Sequence, residues 1–252
     1  MLFRSSHART PGANVGTYPI SIGTLSAGDN YDVTFVGADL AITPRAITVT
    51  VTPGQAKTYG ETDPAAFAWT VSPALVGTDT LTGSLVRDAG EDAGTYPITI
   101  GSLAASANYD LAFVPGSFTI DPRPVTVSVT PGQGKTYGET DPAAFAYTAT
   151  PALVGSDEFA GSLVRTSGEN AGTYPISIGS LSAGANYALT FEGASFTIAR
   201  KTLSITADAQ SKTYGTTDPA LTYASSGLVA PDALTGALSR VAGEDEIGRA
   251  HV

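Results

Sequence analysis

The side chains with the greatest potential for chemistry lie in a twelve-residue stretch that occurs twice. KTYGETDPAAFA runs from Lys57 to Ala68 and again from Lys135 to Ala146, and a looser copy, KTYGTTDPALTY, begins at Lys212. Each full copy supplies one lysine, one tyrosine and two carboxylates. Paired carboxylates can act as an acid and a base or bind a metal ion, whereas the same residues can also do no more than shape a turn.

Calcium is the metal ion that these acidic loops suit, because Ca²⁺ takes roughly six to eight oxygen ligands, several of them carboxylates. A turn is the preferred interpretation, since Asp before Pro starts a turn and caps backbone N–H groups. The third copy has Thr216 where glutamate stands in the others, so the loop does not depend on that acid. We expect no cofactor, with calcium as the alternative. Its candidate ligands are Glu61, Asp63, Glu139, Asp141 and Asp218, with Asp79, Asp157, Glu91 and Glu169 in addition.

Lysine and arginine recur at fixed places in the same segments. One interpretation makes them anion-binding or receptor-binding positions. The preferred one pairs each with a carboxylate of its own segment, such as Asp63 or Glu91, as exposed ion pairs that contribute about 0–1 kcal/mol. The residues are Lys57, Lys135, Lys212, Arg87, Arg165 and Arg240.

The tyrosines also allow two interpretations. A buried ring whose hydroxyl bonds to backbone would serve the fold, and this role is preferred. A row of exposed rings could instead stack on sugars, and a shared exposed patch of Tyr59, Trp69 and Tyr109 would favour that alternative. The recurring tyrosines are Tyr59, Tyr96, Tyr109, Tyr137, Tyr174 and Tyr187.

Catalysis is not expected. The chain has no cysteine, and its two histidines, His7 and His251, lie close to the chain ends, so we assign them no role in a Ser-His-Asp or Cys-His site. Two carboxylates could in principle hydrolyse a glycosidic bond, but an enzyme rarely repeats its active site within one chain. The glycines punctuate turns and form no phosphate-binding loop.

Composition excludes several classes of partner. A formal net charge of -10 repels nucleic acid and anionic membranes. No apolar run reaches the roughly 18 residues needed to cross a bilayer. The N-terminus shows no signal-peptide pattern, so an export signal, if the protein is exported, is expected outside this chain.

Internal repetition with a period of 78 residues organises the chain. The pentapeptide GTYPI begins at Gly16, Gly94 and Gly172, and Asn-Tyr begins at Asn30, Asn108 and Asn186. The spacing predicts two complete repeats flanked by two halves, and the last half, without its GTYPI and Asn-Tyr strands, is expected to be the least ordered part in hydrogen exchange. The predicted segments are 1–45, 46–123, 124–200 and 201–245.

The two ends depart from the repeat pattern. Residues 247–252, IGRAHV, can be encoded by DNA whose opposite strand, in a shifted frame, encodes the N-terminal MLFRS. We therefore hypothesise that the first five to eight residues and residues 246–252 derive from one sequencing-adaptor stretch. Sequencing the parent locus tests this hypothesis.

Alternating apolar residues predict strands throughout. Ile47, Val49 and Val51 alternate with threonines, and Gly- and Pro-containing turns separate this segment from further strands near 67–71, 81–87, 96–100, 109–113 and 118–120. No window shows helical periodicity. The predicted class is all-β, as tandem small β-sandwiches of the Ig-like kind, with grasp-like β-domains as the alternative. The short link Asp121–Pro124 favours an extended array.

These motifs together resemble the MBG-type repeat of large bacterial surface proteins such as filamentous-haemagglutinin-like adhesins. The resemblance implies β-domain arrays, a secreted or cell-surface location and no established catalysis. The signature residues are Lys57, Tyr59, Gly60, Asp63, Pro64, Arg87, Gly94, Tyr96, Asn108 and Tyr109, and then Lys135, Tyr137, Gly138, Asp141, Pro142, Arg165, Gly172, Tyr174, Asn186 and Tyr187.

Two functions follow from this interpretation. The first is a structural stalk that holds a distal binding domain away from the cell, with neighbouring repeats as its partners. The second is a multivalent module in which each repeat weakly contacts a glycan or a host surface protein, so that repetition supplies avidity. Neither needs nucleic acid or direct membrane insertion.

Overall fold

Every regular element of the chain is a β-strand in the part that the structure describes. The structure is a computed structural model that describes residues 8–9 and 14–241. Residues 1–7 and 246–252, which carry the adaptor hypothesis and both histidines, lie outside the described residues. Within those described, the chain contains no helix able to span a membrane.

Three strands precede the first complete repeat and form a sheet in the order β1-β2-β3: β1 (Ala8–Arg9), β2 (Gly16–Ser21) and β3 (Ala38–Ile42). The strands of the first complete repeat are β4 (Arg45–Val51), β5 (Gln55–Thr58), β6 (Trp69–Ser72), β7 (Val86–Arg87), β8 (Gly94–Thr99), β9 (Tyr109–Val114) and β10 (Gly116–Asp121).

The second complete repeat reproduces this set. Its strands are β11 (Arg123–Val129), β12 (Gly134–Thr136), β13 (Tyr147–Thr150), β14 (Val164–Arg165), β15 (Gly172–Ser177), β16 (Tyr187–Glu192) and β17 (Ser195–Ala199). A two-stranded sheet follows, formed by β18 (Ser204–Ala207) and β19 (Tyr223–Ser226).

The first complete repeat is a two-layer sandwich. One sheet has the order β6-β4-β9 and the other β5-β10-β8-β7, with β4–β9 and β5–β10 parallel and the remaining pairs antiparallel. Val49 and Val51 of the first sheet share one core with Ile98, Phe118 and Ile120 of the second. Burial of these alternating apolar residues is the main favourable contribution to folding.

The second complete repeat has the same construction. Its sheets have the orders β13-β11-β16 and β12-β17-β15-β14. Val127 and Val129 pack with Ile176, Phe196 and Ile198. The prediction of tandem small β-sandwich domains is therefore confirmed.

By contacts, the described chain divides into two compact units. The first contains the residues up to Pro124 together with Ala183–Ala188, and the second contains Val125–Ser182 and the residues from Leu189 onward. The short segment Ala183–Ala188, which carries the third Asn-Tyr pair, thus belongs to the first unit although its sequence falls in the second complete repeat.

Two strand predictions need correction. The KTYG segment was predicted to be loop from its start, but Gln55–Thr58 forms strand β5, which pairs in parallel with β10. The sequence of this strand lacks the usual apolar alternation, because Lys57 occupies an inward position that an apolar residue would normally fill. The strand predicted over 81–87 is reduced to β7, because Gly83 adopts φ +83° and interrupts the extended backbone.

The half-repeat at the end of the described chain exposes positions that are core elsewhere. Leu203 and Ile205 lie 78 residues after Val125 and Val127. Val125 and Val127 are 1% and 0% exposed, whereas Leu203 and Ile205 are 37% and 48% exposed. The described part of this half-repeat contains β18 and β19 but no counterparts of β15 and β17 to cover them.

Candidate functional site

The candidate site is a group of four charged side chains that recurs in both complete repeats. This group, the charge cluster, consists of Lys57, Asp63, Arg87 and Glu91 in the first repeat. Strand β5 positions Lys57 and strand β7 positions Arg87, while Asp63 and Glu91 lie in the loops that follow these strands. The second copy consists of Lys135, Asp141, Arg165 and Glu169.

Asp63 lies at the centre of the first charge cluster. Its Oδ1 lies 2.7 Å from Lys57 Nζ, and its Oδ2 accepts a hydrogen bond from Arg87 Nε at 2.7 Å. Arg87 Nη2 donates to Asp63 Oδ1 at 3.1 Å and to Glu91 Oε1 at 2.6 Å, and Lys57 also pairs with Glu91. The pairs expected within each repeat are thus present.

Arg87 has all its donors engaged. Besides the carboxylates, its Nη1 donates to the carbonyls of Asp88 and Gly90 at 2.9 and 2.6 Å. A guanidinium carries five N–H donors, and the hydrogen bonds of Arg87 account for all five. Its planar face lies 5.0 Å from the ring centre of Tyr96 and 5.5 Å from that of Phe118. Arg87 therefore joins β7, the following loop and the core.

The expectation that these pairs are exposed is wrong for the cations. The side chains of Lys57 and Arg87 are only 4% and 6% exposed, whereas Asp63 and Glu91 are 34% and 69% exposed. The sandwich ends at this edge, so the apolar stems of the cations pack on the core while the carboxylates face solvent. Removing a carboxylate would leave buried charge unpaired, which costs more than losing an exposed pair.

The electrostatics keep every member of the charge cluster charged. The hydrogen bond from Arg87, followed by that from Lys57, lowers the pKa of Asp63 to about 2 despite partial burial. Burial by itself would lower the pKa of Lys57, but its bonds to Asp63 and Glu91 outweigh that effect and raise it. The pKa of Asp141 is likewise lowered to about 2, first by Arg165. None of these groups exchanges a proton near neutral pH.

The calcium candidates are placed among hydrogen-bond donors. Both oxygens of Asp63 face cations, and Glu61 Oε2 accepts the backbone N–H of Thr58 at 2.8 Å. Glu139 accepts the N–H of Thr136 at 2.7 Å in the same way. Asp141 repeats the position of Asp63, and Asp218 pairs with Lys212 and Arg240 at 2.6 Å each. Among the described residues, no three His, Cys, Asp or Glu side chains gather in a way that could hold a metal ion.

The tyrosine hydroxyls of the GTYPI segments donate hydrogen bonds to backbone carbonyls four residues earlier in the chain. Tyr96 Oη donates to the carbonyl of Asp92 at 2.8 Å, and Tyr174 Oη donates to that of Asn170 at 2.7 Å. Gly90, with φ +146°, lies directly under the Tyr96 ring, where a Cβ would collide with it. The hydroxyls thus satisfy loop carbonyls and fix the loop before β8.

The aromatic residues proposed for a sugar-binding patch do not form one face. In strand β4, Val51 pairs with Trp69 at one end and Arg45 pairs with Tyr109 at the other. Trp69 packs against the core, and so does Tyr59. Tyr109 Oη donates to Asp79 Oδ2 at 2.6 Å and accepts the N–H of Val76 at 2.8 Å.

The Asn-Tyr pairs form turns that bind another loop. Asn108 Oδ1 accepts the N–H of Val15 at 2.8 Å, and its Nδ2 donates to Asn14 Oδ1 at 2.9 Å. The carbonyl of Asn108 accepts the N–H of Arg45 at 2.9 Å. We call residues 108–109, with their equivalents 30–31 and 186–187, the Asn-Tyr turns.

The third Asn-Tyr turn makes the same bonds within the first unit. Asn186 Oδ1 accepts the N–H of Ala93 at 2.7 Å, and its Nδ2 donates to Asp92 Oδ1 at 2.9 Å. Its carbonyl accepts the N–H of Arg123 at 2.9 Å. The ring of Tyr187 packs edge-on against Tyr59 with ring centres 5.4 Å apart.

The remaining signature residues are glycines and prolines at turns and strand ends. Gly60 and Gly138 adopt φ +84° and +85° in the turns that follow β5 and β12. Gly94 and Gly172 begin β8 and β15. Pro64 and Pro142 are exposed and follow the central aspartates of the two charge clusters.

Sequence reasoning missed a glutamine that bridges the adjacent ends of β4 and β6 in the first complete repeat, and of β11 and β13 in the second. Gln55 donates to the carbonyls of Thr52 and Ala68 at 2.8 and 3.0 Å and accepts the N–H of Ala68 at 2.6 Å. Gln133 makes the same three bonds. The available signal was the recurrence of glutamine two residues before each repeated lysine.

Comparison with known families agrees with this repeated construction. Four segments match the MBG domain of the YGX type: residues 3–41, 47–119, 125–197 and 203–248. The chain belongs to the MBG domain family. Tyr59-Gly60 and its equivalents at 137–138 and 214–215 supply the Tyr-Gly pairs of these MBG domains. A search of curated proteins gave no significant match. MBG repeats are typical of extracellular and surface proteins, and this chain is built from such repeats.

Proposed function

We propose that these MBG domains form a non-catalytic spacer in a bacterial cell-surface or secreted adhesin of the filamentous-haemagglutinin-like kind. The spacer holds a distal binding domain away from the cell. The observation that carries this proposal is the internal use of the recurring polar side chains. Lys57, Asp63, Arg87 and Glu91 bond to one another and to backbone, and Tyr96 bonds to its own loop.

A spacer needs domains that resist local opening, and the charge cluster supports this requirement. Arg87 connects β7 to the loop after it, and Lys57 connects β5 to both carboxylates. These bonds join segments that are distant in sequence at the edge of the sandwich. Opening that edge would break the charge-assisted hydrogen bonds of Arg87 and Lys57 and the packing of their apolar stems on the core.

The location follows from the class of protein proposed. A spacer of this kind works outside the cell, at the bacterial surface or in the secreted protein. The absence of cysteine is compatible with that location, because the cores of both complete repeats are built from apolar side chains.

A binding screen distinguishes the spacer from the multivalent module. The chain and a heat-unfolded control are applied to arrays of glycans and of host surface proteins. The spacer proposal predicts that the folded chain shows no saturable binding beyond that of the unfolded control. Saturable binding that increases with the number of repeats would instead support the multivalent module.

A further inference from the structure

One short segment of the second complete repeat belongs to the first unit. Ala183–Ala188 lies in the first unit, whereas Val125–Ser182 before it and the residues from Leu189 onward lie in the second. Strand β16 crosses this boundary, because it begins at Tyr187 and continues into the second unit. The segment is therefore held at both of its ends by chain that folds in the second unit.

Asn186 binds this segment to the rest of the first unit through three hydrogen bonds. Its Oδ1 accepts the N–H of Ala93 at 2.7 Å, and its Nδ2 donates to Asp92 Oδ1 at 2.9 Å. Its carbonyl accepts the N–H of Arg123 at 2.9 Å. The loop before β8 and the start of β11 are thus bonded to a residue that comes much later in the chain.

The ring of Tyr187 adds an apolar contact to these hydrogen bonds. It lies edge-on to the ring of Tyr59 with ring centres 5.4 Å apart, and Tyr187 is buried. Tyr59 in turn packs against the core of the first complete repeat. Edge-on aromatic pairs are favourable beyond the area that they bury, so this contact also stabilises the first unit.

The same arrangement occurs one repeat earlier. Asn108, in the first complete repeat, binds the N–H of Val15 and the side chain of Asn14, which both precede that repeat. Its carbonyl accepts the N–H of Arg45, as that of Asn186 accepts the N–H of Arg123. Bonding of an Asn-Tyr turn to the loop of the preceding repeat is therefore a recurring property of these domains.

We infer that residues 183–188 couple the folding of the two units, so that the first unit loses stability when the second unfolds. Unfolding of the second unit releases both ends of the segment. The freed segment gains conformational entropy and leaves its partners, and the first unit then lacks the bonds of Asn186 and the ring of Tyr187. Stability in the array thus contains a term between neighbours, which is the same for a spacer and for a binding module.

Urea unfolding of a chain whose second unit is selectively disrupted tests this coupling. Val127→Asp places a charge in the core of the second unit, where Val127 is 0% exposed. Trp69 fluorescence reports on the first unit, and its midpoint should fall by about 1 M urea when three hydrogen bonds and one ring contact are lost. The control Val164→Asp, at a position of the second unit that is 45% exposed, should leave this midpoint unchanged.

A second reporter follows the disrupted unit itself. Tyr147 lies 78 residues after Trp69 and packs against the core of the second complete repeat, so W69Y/Y147W moves the single tryptophan to the equivalent position. With V127D added, this reporter should show the second unit unfolded in the absence of urea. Where it shows that unit still folded, V127D/I198D takes the place of V127D, because Ile198 is buried in the same core.

A double-mutant cycle with N186A gives the decisive observation. N186A should lower the Trp69 midpoint of the unaltered chain but have almost no effect in V127D, where the segment has already left. The inference is overturned if the Trp69 midpoint is unchanged while the second unit is unfolded, or if N186A has the same effect in both chains. An equal shift in V164D also overturns it, because the shift would then come from added charge.

Discussion

At the scale of single residues, the charge cluster shows how an apparent active site can serve the fold. Lysine, arginine and two carboxylates meet within hydrogen-bond distance, which is also how catalytic residues are arranged. Here, however, every donor of Arg87 is engaged, and Asp63 holds a proton only in strong acid. A closed group of this kind has no free acid, base or nucleophile to offer a substrate.

Replacing Asp63 by asparagine should destabilise the first complete repeat. Lys57 and Arg87 would remain buried with only Glu91 as a charged partner, and losing one partner of a buried pair costs about 3–5 kcal/mol, less here because Asp63 is one-third exposed. We expect a loss of about 2 kcal/mol in the free energy of unfolding by urea. Trp69, the single tryptophan, reports on this repeat because it packs against its core.

The control for this change is Asp88→Asn, which removes an exposed carboxylate next to Arg87. Only the backbone carbonyl of Asp88 bonds to Arg87. This variant should unfold at the urea concentration of the unaltered chain. Equal destabilisation by both variants would show that net charge, and not the charge cluster, determines stability.

Stability should fall in acid because of the same aspartates. The pKa of Asp63 and Asp141 is about 2 in the folded chain, against an ordinary value of 3.8. Between these values the unfolded chain binds protons that the folded chain does not, so folding is progressively disfavoured as pH falls from about 4 to 2. Above pH 4 the full contribution is present.

Urea midpoints measured from pH 6 to pH 2 check this dependence. The unaltered chain should lose stability steeply below pH 4. The double variant D63N/D141N should start lower and lose less over that window, because its side chains cannot titrate. Parallel curves for the two proteins would contradict the assignment of the acid response to Asp63 and Asp141.

At the scale of elements, the Asn-Tyr turns fix one loop against another through paired amide and backbone bonds. The side chains of Asn108 and Asn186 face different partner side chains. Asn108 faces the amide of Asn14, whereas Asn186 faces the carboxylate of Asp92. That difference allows a matched comparison between identical substitutions.

Asn186→Asp should destabilise the first unit more than Asn108→Asp does. The new carboxylate at 186 would face Asp92 where the two side chains are now 2.9 Å apart, while Asn14 can turn its amide to donate to a carboxylate at 108. We expect N186D to cost about 1–3 kcal/mol more at pH 7, because it leaves a charged acceptor pair without a donor. Thermal unfolding at pH 7 and pH 4 measures the difference, which should shrink at pH 4 as a carboxyl becomes protonated.

The sequence predicted most of these elements and missed those whose cause lies in tertiary contacts. Strand β4 is predicted directly from the alternation of Ile47, Val49 and Val51 with threonines, and these three apolar side chains are buried as predicted. Strand β5 could not be predicted because Lys57 points inward on account of its pairing with Asp63 and with Glu91, which lies 34 residues away in sequence. The hydrogen bond between Asn186 and Asp92 could not be predicted from the sequence either, since it joins residues 94 positions apart.

At the scale of the whole molecule, repetition is the main property of the chain. Four segments match the MBG domain, and two of them are complete sandwiches with equivalent contacts in the core and the charge cluster. A function that depends on the number of domains requires only that each domain be stable and joined to the next in a constant manner. The recurrence of the same internal bonds between polar side chains in both complete repeats agrees with such a function.

The proposed spacer role depends most directly on how length grows with repeat number. Chains containing two, four and six copies of residues 46–123 can be compared by small-angle X-ray scattering at low concentration. A spacer predicts a maximum dimension that rises in proportion to the number of copies. A maximum dimension that rises only as roughly the 0.38 power of chain length, as in compact globular proteins, would contradict it.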